Sequence, residues 1–261
     1  MLCTEIPTVD LMGVSIHAAD ENACIDHVIQ HASRGHGGWV VTANLDHLRR
    51  LVRQRSYREL CSEATLMVPD GMPLVWASRI RGTPLPERVA GSNLIVSLSR
   101  AAARARIPVF LLGGNPGTAE GAAEVLVGRC PGLQIAGTSC PTHGFESDPS
   151  QLRELERTVR GHAPGIVYVA LGSPKQEFVI RHLRRSLPSV WWIGVGISFS
   201  YLTEDVRRAP HWLQAIGFEW LHRLSHEPRR LFRRYVVDGA PFALRLFWDS
   251  ARQRLHSPVG T

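Results

Sequence analysis

Gly165-Ile-Val-Tyr-Val-Ala-Leu171 is a run of apolar residues, and the turn Gly172-Ser-Pro174 separates it from the amphipathic segment Lys175–Leu183. The same order of an apolar run and then an amphipathic segment recurs along the chain. The other apolar runs are Gly38–Thr42, Thr65–Pro69, Ile107–Leu112 and Ser189–Val195. Apolar strands that alternate with helices are typical of a parallel sheet with helices on each side. The sequence therefore predicts an α/β fold with a mainly parallel sheet and helices on both faces.

The composition is that of an ordinary globular protein. The chain has 261 residues, of which 44% are hydrophobic and 20% are charged, so disorder is excluded as its main state. Its five cysteines are scattered and form no Cys-x-x-Cys pair, which predicts reduced thiols rather than a disulfide framework or a zinc ribbon. Residues 1–21 lack a basic segment followed by an apolar core, and no long uncharged apolar stretch follows. We therefore expect a cytoplasmic protein with no signal peptide and no membrane-spanning helix.

Positive charge is concentrated near the C-terminus. Residues 201–261 hold ten arginines and six acids, which is +4 of the total net charge of +7. Apolar side chains alternate with these arginines in two helix-like segments; they are Leu231, Phe232, Tyr235, Phe242, Leu246, Phe247 and Trp248. Such basic amphipathic helices either lie on an anionic membrane surface or pack on their own domain with a solvated basic face. We predict a sheet domain over residues 1–200 and a helical, membrane-associating appendage over residues 201–261.

Small and polar residues follow four of the apolar runs. They are Thr42 and Asn44, Asp70 and Gly71, Gly113, Gly114 and Asn115, and Gly172, Pro174, Lys175 and Gln176. Because ligands bind at the carboxyl ends of parallel strands, these residues predict one site assembled from several loops.

Within that site, Asp70 is the one carboxylate that directly follows a strand. It is a candidate general base for a hydroxyl group, or alternatively a cap of the next helix. Arg88 lies just beyond that helix, in a loop that also holds Gly91 and Asn93. Its guanidinium is suited to a bidentate grip on a diphosphate, or alternatively to a surface ion pair.

The motifs of several other classes of protein are absent from this sequence. Gly113-Gly-Asn-Pro-Gly-Thr118 is suited to a phosphate or a ribose, but it is not a P-loop. No Asp-x-Asp is present, and the pairs His27/His31 and His222/His226 do not match His-Glu-x-x-His, so we predict no metal site. An enzyme that uses NAD or S-adenosylmethionine needs a glycine fingerprint after its first strand, where this chain has Thr42-Ala-Asn44. No nucleic-acid-binding motif frames the arginines.

Seven short motifs occur in an order that resembles the WecG/TagA/CpsF glycosyltransferase family (glycosyltransferase family 26), over about Leu11 to Phe247. They are Thr42-Ala-Asn44, Pro69-Asp-Gly71, Arg88-Val-Ala-Gly91, Phe110-Leu-Leu-Gly-Gly114, Leu171-Gly-Ser-Pro-Lys-Gln-Glu177, Arg208-Ala-Pro210 and Gly217-Phe-Glu-Trp-Leu-His-Arg-Leu-Ser-His-Glu-Pro-Arg229. The resemblance implies a Rossmann-like fold of the GT-E type and a C-terminal appendage that meets the membrane. It further implies an inverting, metal-independent transferase that needs no cofactor and acts at the inner face of the cell membrane.

The same resemblance implies the substrates: a UDP-sugar donor and a polyprenyl-diphosphate-linked acceptor, in the synthesis of exopolysaccharide, capsule, teichoic acid or common antigen. Asp70 would be the general base, Thr42 and Asn44 would line the acceptor and sugar pocket, and Arg88 and Gln176 would hold the donor. Arginines of the appendage, such as Arg207, Arg208 or Arg229, would stabilise the departing UDP.

One stretch departs from the family pattern. Gly196-Ile-Ser-Phe-Ser200 stands where the family commonly has Gly-Gly-x-Phe-Asp. This difference leaves N-acetylmannosamine, its uronic acid and glucose open as the donor sugar.

Overall fold

A six-stranded, fully parallel sheet forms the centre of the computed structural model, which describes residues 6–215 and 217–256. The strands are β3 (Gly38–Ala43), β4 (Leu66–Pro69), β5 (Val109–Gly113), β6 (Ile135–Ser139), β7 (Ile166–Ala170) and β8 (Trp191–Gly194), and a hairpin of β1 (Thr8–Leu11) and β2 (Val14–His17) precedes them. Their order across the sheet is β4-β3-β8-β7-β5-β6. The predicted parallel α/β architecture is confirmed.

Helices cover both faces of this sheet. The helices up to the end of β8 are α1 (Glu21–Ala32), α2 (Leu45–Arg53), α3 (Arg55–Cys61), α4 (Met72–Arg81), α5 (Gly91–Ala105), α6 (Thr118–Arg129), α7 (Pro149–Gly161) and α8 (Lys175–Ser186). Neighbouring residues of one strand enter opposite cores, since Trp192 is buried in one cluster and Trp191 in the other. Burial on both faces explains why the central strands are apolar throughout.

The sequence did not predict β6, the edge strand. Its residues Ile-Ala-Gly-Thr-Ser are small or polar and half-buried, so they lack the continuous apolar pattern of the central strands. The other five predicted runs match strands within one or two residues at each end.

Short helices follow β8: α9 (Ser198–Leu202), α10 (His211–Ala215), α11 (Glu219–His226) and α12 (Pro228–Phe232). Apolar residues at helical spacing after Pro210 predict one helix over about 210–224, whereas α10 and α11 are separate. Gly217 lies between them with φ +80°, and a Cβ at that position would lie 2.7 Å from the side chain of Met72. The break therefore lies where the chain needs a left-handed residue pressed against α4.

A π-helical segment, Arg233–Gly239, joins α12 to the last helix, α13 (Ala240–His256). Phe242 and Leu246 of α13 are fully buried in the core cluster that contains Trp192, and Leu231 is also buried. The aromatic and aliphatic set predicted for the membrane is thus divided, because these three residues are core residues while Phe232 and Trp248 are exposed.

The structure bears on two predictions about the chain, the domain boundary at residue 200 and the absence of a membrane-spanning helix. The boundary at residue 200 stays a prediction, but α13 beyond it shares a core with the sheet through Phe242 and Leu246. Within residues 6–215 and 217–256, no helix is both long and apolar enough to cross a membrane.

Candidate active site

The carboxyl ends of β3, β4 and β8 lie side by side and bring three predicted positions together. Thr42 Oγ1 donates a hydrogen bond to the carbonyl oxygen of Gly194 over 3.1 Å, which joins β3 to β8. The main-chain N–H of Asp70 donates to the carbonyl oxygen of Ala43 over 2.8 Å, which joins the end of β4 to β3. Gly91, the first residue of α5, packs so closely on this edge that a Cβ there would lie 3.3 Å from Thr42 Oγ1.

Asp70 has an environment suited to accepting a proton. Burial raises its pKa to about 7, and the nearby charge of Glu219 acts in the same direction. The Arg88 guanidinium, the N–H of Gly91 and the His47 ring favour the charged form and limit that rise. A carboxyl group with this pKa exchanges its proton near neutral pH, as a general base must.

An ion-pair cluster lies beside Asp70 and connects the sheet to α11. Arg88 Nη1 lies 3.0 Å from Glu219 Oε2, and Arg208 Nε lies 3.7 Å from the other oxygen of the same carboxylate. Arg208 Nε and Nη2 are buried and make no hydrogen bond. Two guanidinium groups therefore share one carboxylate, which leaves positive charge and free donors for an anion.

Asn44 follows β3, and Gln176 lies in the first turn of α8, which follows β7. Strand β8 lies between β3 and β7 in the sheet. Asn44 caps α2, because its Oδ1 accepts from the main-chain N–H groups of Asp46 and His47. Gly71 packs on Asn44, since a Cβ at Gly71 would lie 3.6 Å from its Cα. Gln176 lies against the end of β8, where a Cβ on Gly194 would be 2.8 Å from its Nε2.

Other predicted site residues are further out or already paired. Lys175 Nζ lies 2.8 Å from Glu146 Oε1, so it contacts the loop after β6. Gly113, the last residue of β5, and Gly114 after it adopt positive φ, as does Gly172 in the loop after β7, where Pro174 follows. The exposed members of the set are Asn93, Asn115, Gly172, Pro174, Arg207 and Arg229. The roles of all these residues stay predictions.

Sequence reasoning missed three residues that contact predicted site residues, namely His47, Glu177 and Glu219. Glu177 and Glu219 lie inside two of the seven motifs, which was the available signal. Asp70 is the one carboxylate that directly follows a strand, whereas Glu177 and Glu219 lie in helices and reach predicted site residues through tertiary contacts. Glu219 reaches Arg88 from a helix far along the chain.

Comparison with known proteins assigns the chain to a family. Residues 9–256 match the family model described as "Glycosyl transferase WecG/TagA/CpsF family". The chain belongs to this family of glycosyltransferases. The matched range covers the sheet and the helices that follow it, and it contains Asp70, Arg88, Arg208 and Glu219.

Two relatives carry the same name, "N-acetylglucosaminyldiphosphoundecaprenol N-acetyl-beta-D-mannosaminyltransferase". The protein of Bacillus spizizenii (strain ATCC 23059 / NRRL B-14472 / W23) is 33% identical over 194 residues, which is 74% of this chain and 73% of the relative. The protein of Bacillus subtilis (strain 168) is 29% identical over 235 residues, which is 90% of this chain and 89% of the relative. The alignments thus cover about three quarters of the first relative and nine tenths of the second.

Proposed function

We propose that this protein is an inverting hexosyltransferase that moves a sugar from UDP to a polyprenyl-diphosphate-linked saccharide during cell-surface polysaccharide synthesis. The observation that carries the proposal is Asp70, a carboxyl group with a pKa of about 7 beside Arg88 and the start of α5. The names of the two Bacillus relatives favour N-acetylmannosamine as the sugar and a lipid-linked N-acetylglucosamine as the acceptor. N-acetylmannosaminuronate and glucose are the competing donors.

The proposed reaction is a single in-line displacement. Asp70 takes the proton of the acceptor hydroxyl as that oxygen forms a bond to the anomeric carbon, and the bond from this carbon to UDP breaks with inversion. Arg88 and Arg208 stabilise the negative charge on the leaving UDP, and Gln176 holds the donor. Thr42 and Asn44 line the pocket for the sugar and the acceptor. Guanidinium groups and a helix start thus do the work that a divalent ion does in other transferases, so we propose a reaction without metal or cofactor.

The outer face of α13 supports peripheral binding to the inner face of the cell membrane. Leu244, Trp248 and Leu255 are 70%, 66% and 85% exposed, and they recur at helical spacing on the side away from the core. Arg252 lies over the Trp248 ring, 5.7 Å from its centroid, and Arg245 is also exposed. Exposed apolar side chains flanked by arginines suit the interface of an anionic bilayer, where the lipid-linked acceptor resides.

A transfer assay tests the proposal directly. Wild-type protein is incubated with each of the three UDP-sugars and polyprenyl-diphosphate N-acetylglucosamine, in EDTA and in magnesium. We expect transfer from UDP-N-acetylmannosamine in both buffers, with the anomeric configuration of the product opposite to that of the donor by NMR. Loss of transfer in EDTA would contradict the metal-free reaction, and retention of configuration would contradict the single displacement.

Binding measurements separate this proposal from other nucleotide chemistry. A ligand that binds the native state raises the melting temperature, so UDP, GDP, NAD and S-adenosylmethionine are compared by thermal shift. We expect stabilisation by UDP in EDTA. Stabilisation by NAD or S-adenosylmethionine alone would refute the donor assignment.

A further inference from the structure

The buried carboxylate of Glu177 lies between two parts of the proposed active site. Glu177 is in the first turn of α8 and is only 1% exposed. Its Oε1 accepts a hydrogen bond from Gln176 Nε2 over 2.9 Å. The same oxygen lies 3.4 Å from His47 Nε2. One oxygen atom therefore contacts a residue that follows β7 and a residue of the helix that follows β3.

His47 extends this contact to Asn44. The main-chain N–H of Asn44 donates to His47 Nδ1 over 3.3 Å, so this nitrogen is the acceptor and the ring proton lies on Nε2, facing Glu177. Asn44 Oδ1 in turn accepts from the main-chain N–H of His47 over 3.2 Å. His47 therefore holds Asn44 through two reciprocal hydrogen bonds, one accepted by its ring Nδ1 and one donated by its main-chain N–H, and its ring proton faces the carboxylate.

Packing alone does not account for an ionised carboxylate in this place. Burial opposes the charged form of Glu177, but the His47 and Gln176 contacts outweigh it and hold the pKa of Glu177 below its usual range. Tyr57 and Cys61 also face this charge, and burial raises the pKa of both groups, so both stay neutral. Replacing such a buried pair by apolar side chains is often neutral or stabilising, so its presence calls for another reason.

Three polar atoms of this cluster are buried and lack a hydrogen bond: His47 Nε2, Glu177 Oε2 and Gln176 Oε1. Such groups are normally satisfied, and exceptions in native structures tend to mark sites where something else binds or moves. The end of β8 separates Gln176 from Thr42, since Gly194 contacts both side chains. The cluster thus borders the pocket where donor and acceptor would meet.

We propose that His47 and Glu177 are a positioning pair. The pair fixes Asn44, on the acceptor side, relative to Gln176, on the donor side, across the end of β8. The inference rests on the proposed function, because that function assigns the two sides. Neither residue of the pair needs to touch the reacting atoms. Their effect is on how well both substrates are held before the displacement.

Three variants separate the two sides of the pair. Glu177→Gln removes the charge with little change in shape. His47→Asn places an acceptor near Nδ1 for the Asn44 main-chain N–H but loses the contact with Glu177, whereas His47→Gln places a donor near Nε2 for Glu177 but loses the side-chain contact with that N–H. Glu63→Gln is the matched control, because Glu63 forms ion pairs with Arg181, Arg184 and Arg185 of the same helix α8 and makes no contact with the site.

The readouts are the Kd for UDP by calorimetry, KM for each substrate, and the melting temperature. For Glu177→Gln and His47→Asn we expect UDP binding to weaken about tenfold, the effect of losing a hydrogen bond to a charged group. For His47→Gln we expect near wild-type UDP binding and a raised KM for the acceptor. Glu63→Gln should lower the melting temperature and leave Kd and KM unchanged.

Other outcomes overturn the inference in distinguishable ways. If the wild type binds UDP and the three variants lose melting temperature without any change in Kd or KM, the pair is only structural and the proposed function stands. If the wild type does not bind UDP, the inference falls together with the proposed function.

Discussion

Asp70 destabilises the fold at the pH at which it would work as a base. Its pKa is raised from 3.8 to about 7 in the folded state. The folded chain therefore binds more protons than the unfolded chain between these values, and stability is lost as the pH rises from about 4 to 7. Above pH 7 the fold holds an ionised carboxylate in a place that disfavours it.

We therefore expect Asp70→Asn to abolish turnover and to stabilise the protein at pH 8. A gain of at least about 1 kcal/mol corresponds to roughly 2–4 °C in melting temperature for a chain of this size. The melting temperatures of wild type and variant are compared at pH 8 and at pH 4. The difference should shrink at pH 4, where the folded wild type is protonated; an equal difference at both values would contradict the raised pKa.

His27 contributes a pH dependence of the opposite sign. Burial lowers its pKa from 6.5 to about 4, helped by the charges of His31 and His17, and its ring lies edge-on to Trp191 with centroids 5.7 Å apart. The unfolded chain binds more protons between pH 4 and 6.5, so stability falls as the pH is lowered through that range.

Removing this histidine should flatten the acid side of the stability curve. In urea unfolding at several pH values, we expect wild type to lose more stability than His27→Gln between pH 6.5 and 4.5, with a difference in slope of at most about 1.4 kcal/mol per pH unit. His36→Gln is the control, since His36 is exposed. Parallel curves for wild type and His27→Gln would show that His27 keeps an ordinary pKa.

Helix α11 contributes the carboxylate that neutralises the proposed diphosphate site. Glu219 contacts Arg88 and Arg208, the two guanidinium groups assigned to the leaving UDP, and it also raises the pKa of Asp70. A diphosphate that binds these arginines has to take the place of that carboxylate. Donor binding and the position of α11 are therefore linked through one side chain.

We expect Glu219→Gln to tighten UDP binding several-fold and to move the acid limb of the pH profile of kcat below pH 7. The first effect follows because the neutral side chain competes less for the arginines, and the second because a repulsive charge near Asp70 is gone. Calorimetry and a pH series measure the two effects. Glu204→Gln, an exposed change of the same charge, is the control; weaker UDP binding in Glu219→Gln alone would instead show that Glu219 orients the arginines for the donor.

Elements with a continuous apolar pattern were predictable, and contacts between distant elements were not. The five strands other than β6 could be located because their residues are buried and apolar, whereas β6 carries no such pattern. The residues at the strand ends could also be predicted, since parallel strands end at one edge. The His47–Glu177 pair and the break at Gly217 depend on which helices come together in three dimensions, and no local pattern encodes that.

In the whole molecule, α13 has one face in the core and the opposite face exposed. Phe242 and Leu246 are buried against the sheet domain, while Leu244 and Trp248 point away from it. The same helix therefore satisfies both readings of the sequence, a packed helix and a surface for an anionic bilayer. The buried face and the face proposed for the membrane use different residues, so mutations can test them separately.

We predict that Leu244→Ser combined with Trp248→Ala abolishes membrane binding without unfolding the protein. Both side chains are mostly exposed, so their removal should change the melting temperature little, whereas Phe242→Ala should cost about 3–5 kcal/mol as a large core truncation. Co-sedimentation with vesicles containing anionic phosphatidylglycerol measures binding, which should weaken as salt rises because charge contributes to it.

Transfer to a short, water-soluble acceptor should be unchanged in the double variant, while transfer to a long-chain acceptor in vesicles should fall. Equal losses on both acceptors would place the defect in the active site, and unchanged sedimentation would show that this face of α13 does not meet the membrane.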